Sequence, residues 1–329
     1  MRITLKAKLK ICLLAVLTLA ASGASAAGAS PYPTQPIKMV VGFSAGSATD
    51  VVARVVAQDL SQRLGQQVLV DNKTGVGGSL AADAVAKAKP DGYTLLFVSS
   101  AIAVNPAVYA KLPFDVSNDL TPISLIGRVP VVLLVNQAVP AKTLGEFIAY
   151  AKTKPGALNF GSSGQGGSIH MATELFAMTA GVKLTHVPYR GNNQASTALL
   201  GGEVNVLMDT VINATPQLKS PRIRPLAITG EKRSPSAPNV PTFKELGLPS
   251  FDASLFFGVM GPANMPQAVV DRINKEIAAS LKSKDVEKRL SETGGLTLAG
   301  GKPEEFQSTL RDELAMWKKV ATEAKVVAE

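Results

Sequence analysis

The sequence predicts an α/β protein of two lobes, each a mainly parallel sheet flanked by helices. Short apolar runs, such as Ile37–Val41 and residues 93–98, alternate with stretches of helical periodicity. Those runs are continuous rather than alternating, as strands buried on both faces require. A chain of 329 residues is also large for one core and natural for two. Residues 27–125 and 250–329 are expected to build the first lobe, and residues 126–249 the second.

The first 26 residues read as an export leader. Arg2, Lys6, Lys8 and Lys10 precede the apolar stretch 11–21, and Ala24, Ser25 and Ala26 form an A-x-A cleavage site. Cleavage near Ala26 would remove the sole cysteine, Cys12, leaving neither disulfides nor thiol chemistry. No later apolar run is long enough to span a bilayer. The chain carries a formal charge of +9, which loss of those four basic residues reduces to +5. Lysines and arginines are scattered and aromatics make up 5% of residues, a pattern that disfavours nucleic acid and suits attraction of small anions.

The first lobe opens with a strand at 37–41, a loop of small residues, and a helix at 51–64. Ser47 or Thr49 is the expected N-cap, with Asp50 in the first turn. Phe43, Ser44, Ala45, Gly46, Ser47, Ala48, Thr49 and Asp50 therefore form a candidate anion cradle built on backbone N–H groups, without a cation. A strand at 67–70, a turn-rich loop from Asp71 to Gly78, a helix from Ser79 to Ala88 and a strand at 93–98 follow. Ser99 and Ser100 open another small-residue loop at that strand's carboxyl end, where ligands of such sheets collect. They are either site hydroxyls or plain helix-capping serines.

The apolar run 123–136 is broken by Pro130, which a central strand would not tolerate. It reads as two strand pieces and the crossing into the second lobe. A helix at 144–154 and a strand at 158–160 lead to a glycine- and serine-rich loop and a helix at 169–180. This repeats the strand, small-residue loop and helix start of the first lobe. Ser162, Ser163, Gly164, Gly166, Ser168 and His170 make the second candidate cradle. Strands at 183–187 and 204–208 carry Tyr189, Arg190 and Asp209 at their ends. After a strand at 223–229, residues 256–260 are the return crossing. Two amphipathic helices, 267–283 and 303–325, are expected to pack on the first lobe.

Gly42, Phe43, Ser44, Ala45 and Gly46 match the G-x-S-x-G of a serine hydrolase. The histidines are His170 and His186, and neither lies in the last third of the chain, where that fold places its histidine. A secreted hydrolase using Ser44 is thus an alternative rather than the main reading. The loop from Gly161 to Ser168 has P-loop spacing but Gly167 in place of the lysine, which argues against nucleotide. Two isolated histidines argue against a metal site, and no cofactor is expected. His170 either donates to an anion or bonds within the fold, while His186 reads as a core or supporting residue. Arg190 is either a fork to a carboxylate or a solvated loop residue, and Asp209 accepts either from a ligand or within its own turn.

These segments resemble the Bug family, the periplasmic solute receptors of tripartite tricarboxylate transporters. The resemblance rests on Gly42 to Asp50 with Ala53 and Arg54, Asn72 to Gly78, and Pro90 to Leu96. It continues through Gly161 to Gly164 with His170, His186 to Gly191, Leu200 to Val204, and Lys232 to Pro235 with Val240 to Thr242, in order along the chain. It implies a type II-like periplasmic-binding-protein fold whose two domains close on the ligand like a flytrap. It further implies a periplasmic monomer that delivers a small carboxylate, a dicarboxylate of aliphatic or aromatic kind, to membrane permease subunits. The loops 44–50 and 162–170 would hold carboxylates, and Tyr189, Arg190, Asp209 and Phe256 would meet the ligand's other end. The chain departs from the family's Pro-Phe-Pro-Ala-Gly-Gly with Gly42, Phe43, Ser44, Ala45, Gly46 and Ser47, which adds hydroxyls. Phe256 stands where Trp is frequent, and Asn192 and Asn193 replace smaller residues. The expectation is a non-enzymatic receptor; one that presents its loaded form to a sensor kinase is a further alternative.

Overall fold

Two sheets organise the computed structural model, which describes residues 32–189, 191–249, 251–292 and 295–328. The expected leader and Arg190 lie outside the described residues. Residues 35–329 form one unit. It opens with β1 (Ile37–Val41), α1 (Ala48–Leu64), β2 (Val68–Asn72), α2 (Ser79–Ala86), β3 (Thr94–Ser99), α3 (Ala101–Val108) and β4 (Leu120–Val129). The second lobe contains β5 (Val131–Asn136), α4 (Leu144–Thr153), β6 (Asn159–Ser162), α5 (Ser168–Ala180), β7 (Thr185–Pro188), α6 (Asn192–Gly201), β8 (Val206–Thr210), α7 (Val211–Ala214) and β9 (Ile223–Ile228). The chain returns with β10 (Leu255–Pro262), α8 (Gln267–Ser280), α9 (Lys284–Glu287), β11 (Thr297–Gly300) and α10 (Pro303–Ala324).

The first sheet has the order β2-β1-β3-β10-β4-β11 and the second β7-β6-β8-β5-β9. β1 pairs in parallel with β2 and β3, and β6 with β7 and β8. In each sheet the strand arriving from the other lobe, β10 or β5, inserts antiparallel to both neighbours. Both sheets are therefore mixed, while most strands in each still run one way. The parallel strands put the starts of α1 and α5 at the carboxyl ends of β1 and β6.

Pro130 separates β4 from β5, since a residue without an N–H cannot continue the ladder. Residues 126–129 consequently pair in the first sheet, and the sheets change at Pro130, a few residues beyond the expected boundary. The small-residue loop expected after β3 is instead the helix α3. Ser100 anchors its start by exchanging bonds with Phe256: Ser100 N–H donates to Phe256 O at 3.0 Å, and Phe256 N–H to Ser100 Oγ at 2.6 Å. α6 is a helix without a clear apolar stripe; Ala195, Ser196, Ala198 and Leu199 alone are buried on it.

α10 spans both lobes. Phe306, Leu310, Glu313, Trp317, Val320 and Ala321 form its buried stripe, which packs against α3 and β4 of the first lobe and α5 of the second. Beside the crossing, Arg128 Nη1 pairs with Glu313 Oε1 at 3.0 Å, and Trp317 Nε1 donates to Glu313 Oε2 at 2.8 Å. Burial pushes the Glu313 carboxyl above its ordinary value, and Arg128 only partly offsets this. The two crossings are also joined directly. Val131 N–H donates to Thr229 Oγ1 at 2.8 Å, and Ser254 Oγ donates to the same oxygen at 2.8 Å.

The ring of Phe306 lies on Gly258 of β10 so closely that a Cβ there would overlap it. Gly258→Ala should therefore destabilise the protein by about 1–3 kcal/mol through overpacking, read by urea unfolding. Adding Phe306→Leu should recover part of that loss. Additive losses in the double variant would contradict this packing.

Candidate functional site

Asp50 shapes the first cradle. Its carboxylate accepts from Gly46 N–H at 2.8 Å, from Asn72 Nδ2 at 2.8 Å and from Arg54 Nε at 3.0 and 3.1 Å. Asn72 Nδ2 also donates to Phe43 O at 2.9 Å. Burial would raise the Asp50 carboxyl, but these hydrogen bonds outweigh it and hold the group below its ordinary value. Ser47, one of the two expected caps, accepts from Asp50 N–H at 3.3 Å. Ser44, Ala45 and Gly46 are exposed. The N–H groups of Ser44 and Ala45 have no hydrogen-bond partner among the described residues, and those of Ala48 and Thr49 begin the helix, where the backbone supplies none. Ser99, half-buried, lines a cavity of about 20 Å³ behind the loop with Gly42, Phe43 and Gly78, room for about one water.

The second cradle is more open at its helix. Gly167 is the N-cap of α5 and offers no side chain, so Ser168, Ile169 and His170 begin the helix with uncapped N–H groups. Ser163 is exposed. Ser162 Oγ lies 2.6 Å from His186 Nε2 and accepts from Gly164 N–H at 3.1 Å. Gly166 N–H donates to His170 Nδ1 at 3.0 Å, and His170 Nε2 faces Glu174 Oε1 at 3.5 Å. Gly166 has φ +69°, a conformation that favours glycine, and a Cβ there would lie 3.0 Å from both Val108 Cγ2 and Ala328 Cβ. Tyr189 joins this loop through its N–H, which donates to Ser162 O at 3.0 Å.

Several predicted contacts turn out to be supports. Asp50 spends its carboxylate on the first loop, and Ser100 ties α3 to β10. His170 is buried with both ring nitrogens engaged, so only its backbone N–H serves the cradle. Asp209 is fully buried and accepts from Asn192 Nδ2 at 2.6 Å, Thr210 N–H at 2.7 Å and Asn213 Nδ2 at 3.2 Å. Burial raises its carboxyl to about 6 despite these donors. Phe256 is a core residue with no exposure, its ring edge-on to Phe306. The expectation that Asp209 and Phe256 meet the ligand's far end is thereby corrected. A buried aromatic and a satisfied carboxylate have no free face to offer.

Sequence reasoning missed Asn72, Asn105 and Gln165, while His186, expected as a core or supporting residue, is a support stacked on His170 and bonded to Ser162. Asn105 pins the glycine loop before α2, donating to Gly77 O at 3.0 Å and Ser79 Oγ at 2.8 Å. Polar residues in turns carry no signal of which distant loop they hold. Chemically, each lobe offers a small-residue rim and a helix start with free N–H donors, an arrangement for binding an anion rather than for bond breaking. Among the described residues no imidazole bonds to Ser44, since His170 and His186 pair within the second loop.

A family profile described as tripartite tricarboxylate transporter family receptor matches residues 52–326. The chain is 37% identical to protein BugT of Bordetella pertussis over 91% of its own length and 92% of that protein. It resembles the solved structure of R. palustris Rpa4515 with adipate, with a TM-score of 0.80 and 36% identity over 90% of this chain and 99% of that one. It also resembles MatC from Rhodopseudomonas palustris with bound malate, with a TM-score of 0.74 and 32% identity over 88% and 99%. Two further matched structures are described as periplasmic binding protein BugD and a TctC solute binding protein from Polaromonas, at 30% and 26% identity, and with the receptor family they remove the hydrolase reading of Ser44. The chain belongs to the Bug family, the receptors of tripartite tricarboxylate transporters.

Proposed function

We propose that this protein is a periplasmic receptor, exported by the leader at residues 1–26, that captures a small dicarboxylate between its lobes. It then delivers the ligand to a tripartite tricarboxylate-type permease. The observation that carries this reading is the pair of helix starts, one per lobe, each with unpartnered N–H groups beside serine hydroxyls. An N–H cluster at a helix start favours an anion, and the helix dipole adds to it. One carboxylate per cradle accounts for a ligand with two. Adipate and malate in two relatives support the same class. Residues 27–125 with 250–329 and residues 126–249, the boundary moved to Pro130, are the two closing bodies. Ligand binding shifts their open–closed equilibrium, and the permease reads the closed form. Phe256 and Phe257 are both core residues, Phe257 lying 6.1 Å from Phe97, so they supply no support for an aromatic ligand.

Adipate, malate and succinate should each raise the melting temperature, because a ligand that binds only the folded state stabilises it by mass action. No shift with any dicarboxylate would sink the proposal. Ser44→Asp and Ser163→Asp place a carboxylate on an exposed rim, where it competes with the ligand's own. Each should weaken adipate binding at least tenfold by titration calorimetry with the fold unchanged; affinity within twofold of the parent would contradict the cradle.

Asp209, as a support, should govern stability instead. Its carboxyl is raised in the fold, so its contribution is complete below the ordinary aspartate pKa and is lost as pH rises through about 6. The stability advantage of the parent over Asp209→Asn should therefore be larger at pH 4 than at pH 7 in urea unfolding, with adipate affinity within twofold. An equal advantage at both pH values would be inconsistent with this.

A further inference from the structure

We infer that His186 and His170 are a positioning pair: one imidazole stack that holds the second cradle in its anion-binding shape. The inference rests on the receptor reading above. The two rings lie 3.7 Å apart at 13°, and Phe160 covers His186 at 4.9 Å. The stack grips the glycine-rich loop at three places. His186 Nε2 meets Ser162 Oγ at 2.6 Å, His186 Nδ1 meets Gln165 Oε1 at 3.0 Å, and His170 Nδ1 accepts from Gly166 N–H at 3.0 Å. Among the described residues, no cation and no capping side chain does this work for the loop.

The hydrogen-bond pattern assigns the protons. Gln165 Nε2 donates to Val327 O at 3.3 Å, which turns its Oε1 toward His186. His186 Nδ1 therefore carries the proton, and its Nε2 is left to accept from the Ser162 hydroxyl at 2.6 Å, a hydroxyl that also has Gly164 O at 3.1 Å. Ser162 Oγ also accepts from Gly164 N–H at 3.1 Å, so the imidazole and the loop's first turn meet at one hydroxyl. A second proton on His186 would turn the Ser162 hydroxyl from the ring to Gly164 O, 3.1 Å away. Burial and the neighbouring His170 hold His186 neutral, its pKa lowered to about 4. With the loop held from Ser162 to Gly166, the N–H groups of Ser163, Ser168 and Ile169 stay available for a carboxylate. Loosening the loop would let them find internal or water partners.

The test separates ring packing from hydrogen bonding. His186→Phe keeps an aromatic ring between Phe160 and His170 but removes both bonds. His186→Gln restores an acceptor and a donor. Adipate affinity by calorimetry and melting temperature are measured for the parent and both variants at pH 7. His186→Phe should bind at least tenfold more weakly with a melting temperature within a few degrees of the parent, and His186→Gln should recover most of the affinity. Binding by His186→Phe within twofold of the parent, or no recovery in His186→Gln, would overturn the inference. If His186→Phe fails to fold, Gln165→Ala takes its place, since Gln165 is exposed; its affinity should fall about threefold, and an unchanged value would overturn the inference equally. A parent that binds adipate while the variants match it defeats only the positioning pair. A parent that binds no dicarboxylate defeats the receptor reading and the pair together.

Discussion

Everything at the candidate site depends on helix starts whose N–H groups have no acceptor among the described residues. A buried donor without a partner costs about 1–3 kcal/mol, so proteins cap helix starts or leave them to water or a ligand. Here α1 is capped only at Asp50 by Ser47, and α5 has a glycine cap and no side-chain cap at all. Keeping the donors open requires loops that do not collapse onto them. The Asp50–Arg54–Asn72 cluster does this for the first loop and the imidazole stack for the second. Arg54 illustrates the logic: it is the cation nearest the first cradle in the chain, yet it is bound to Asp50 and Asn72.

A site divided between lobes also needs a defined way for the lobes to move. The crossings at Pro130 and between β9 and β10 are joined by Thr229 and Ser254, and Arg128 is fixed to Glu313 of α10 at the same place. An ion pair like this one, with Glu313 buried and Arg128 half-buried, adds little net stability, because desolvation offsets much of the attraction. Its effect is to fix where α10 sits against β4. Trp317, bonded to Glu313, therefore lies close to the crossing instead of being a remote tail residue.

Much of this was legible in the sequence because local physics dictated it. The run 37–41, apolar except for the exposed Lys38, reads as a buried strand, the small residues after it as a tight loop, and Pro130 had to interrupt a ladder. The repeat of strand, loop and helix at Gly161 showed the second cradle for the same reason. What the sequence hid were long-range partners. Ser100, Asp209 and Phe256 look like site residues when only their neighbours in the chain are known. They become supports once Phe256 N–H, Asn192 and Phe306 are brought beside them by the fold. His186 was hidden in the opposite sense: a lone histidine on a short strand gives no hint that another imidazole stacks on it.

The central claim is that a dicarboxylate bridges two clusters of backbone N–H groups, one in each lobe. Amide NMR of the isotope-labelled protein titrated with adipate tests it most directly. The account predicts large, saturable shifts at Ser44, Ala45, Ala48 and Thr49 together with Ser163, Ser168 and Ile169, all following one binding curve. Shifts confined to one lobe, or centred on side chains elsewhere while these amides stay still, would contradict it.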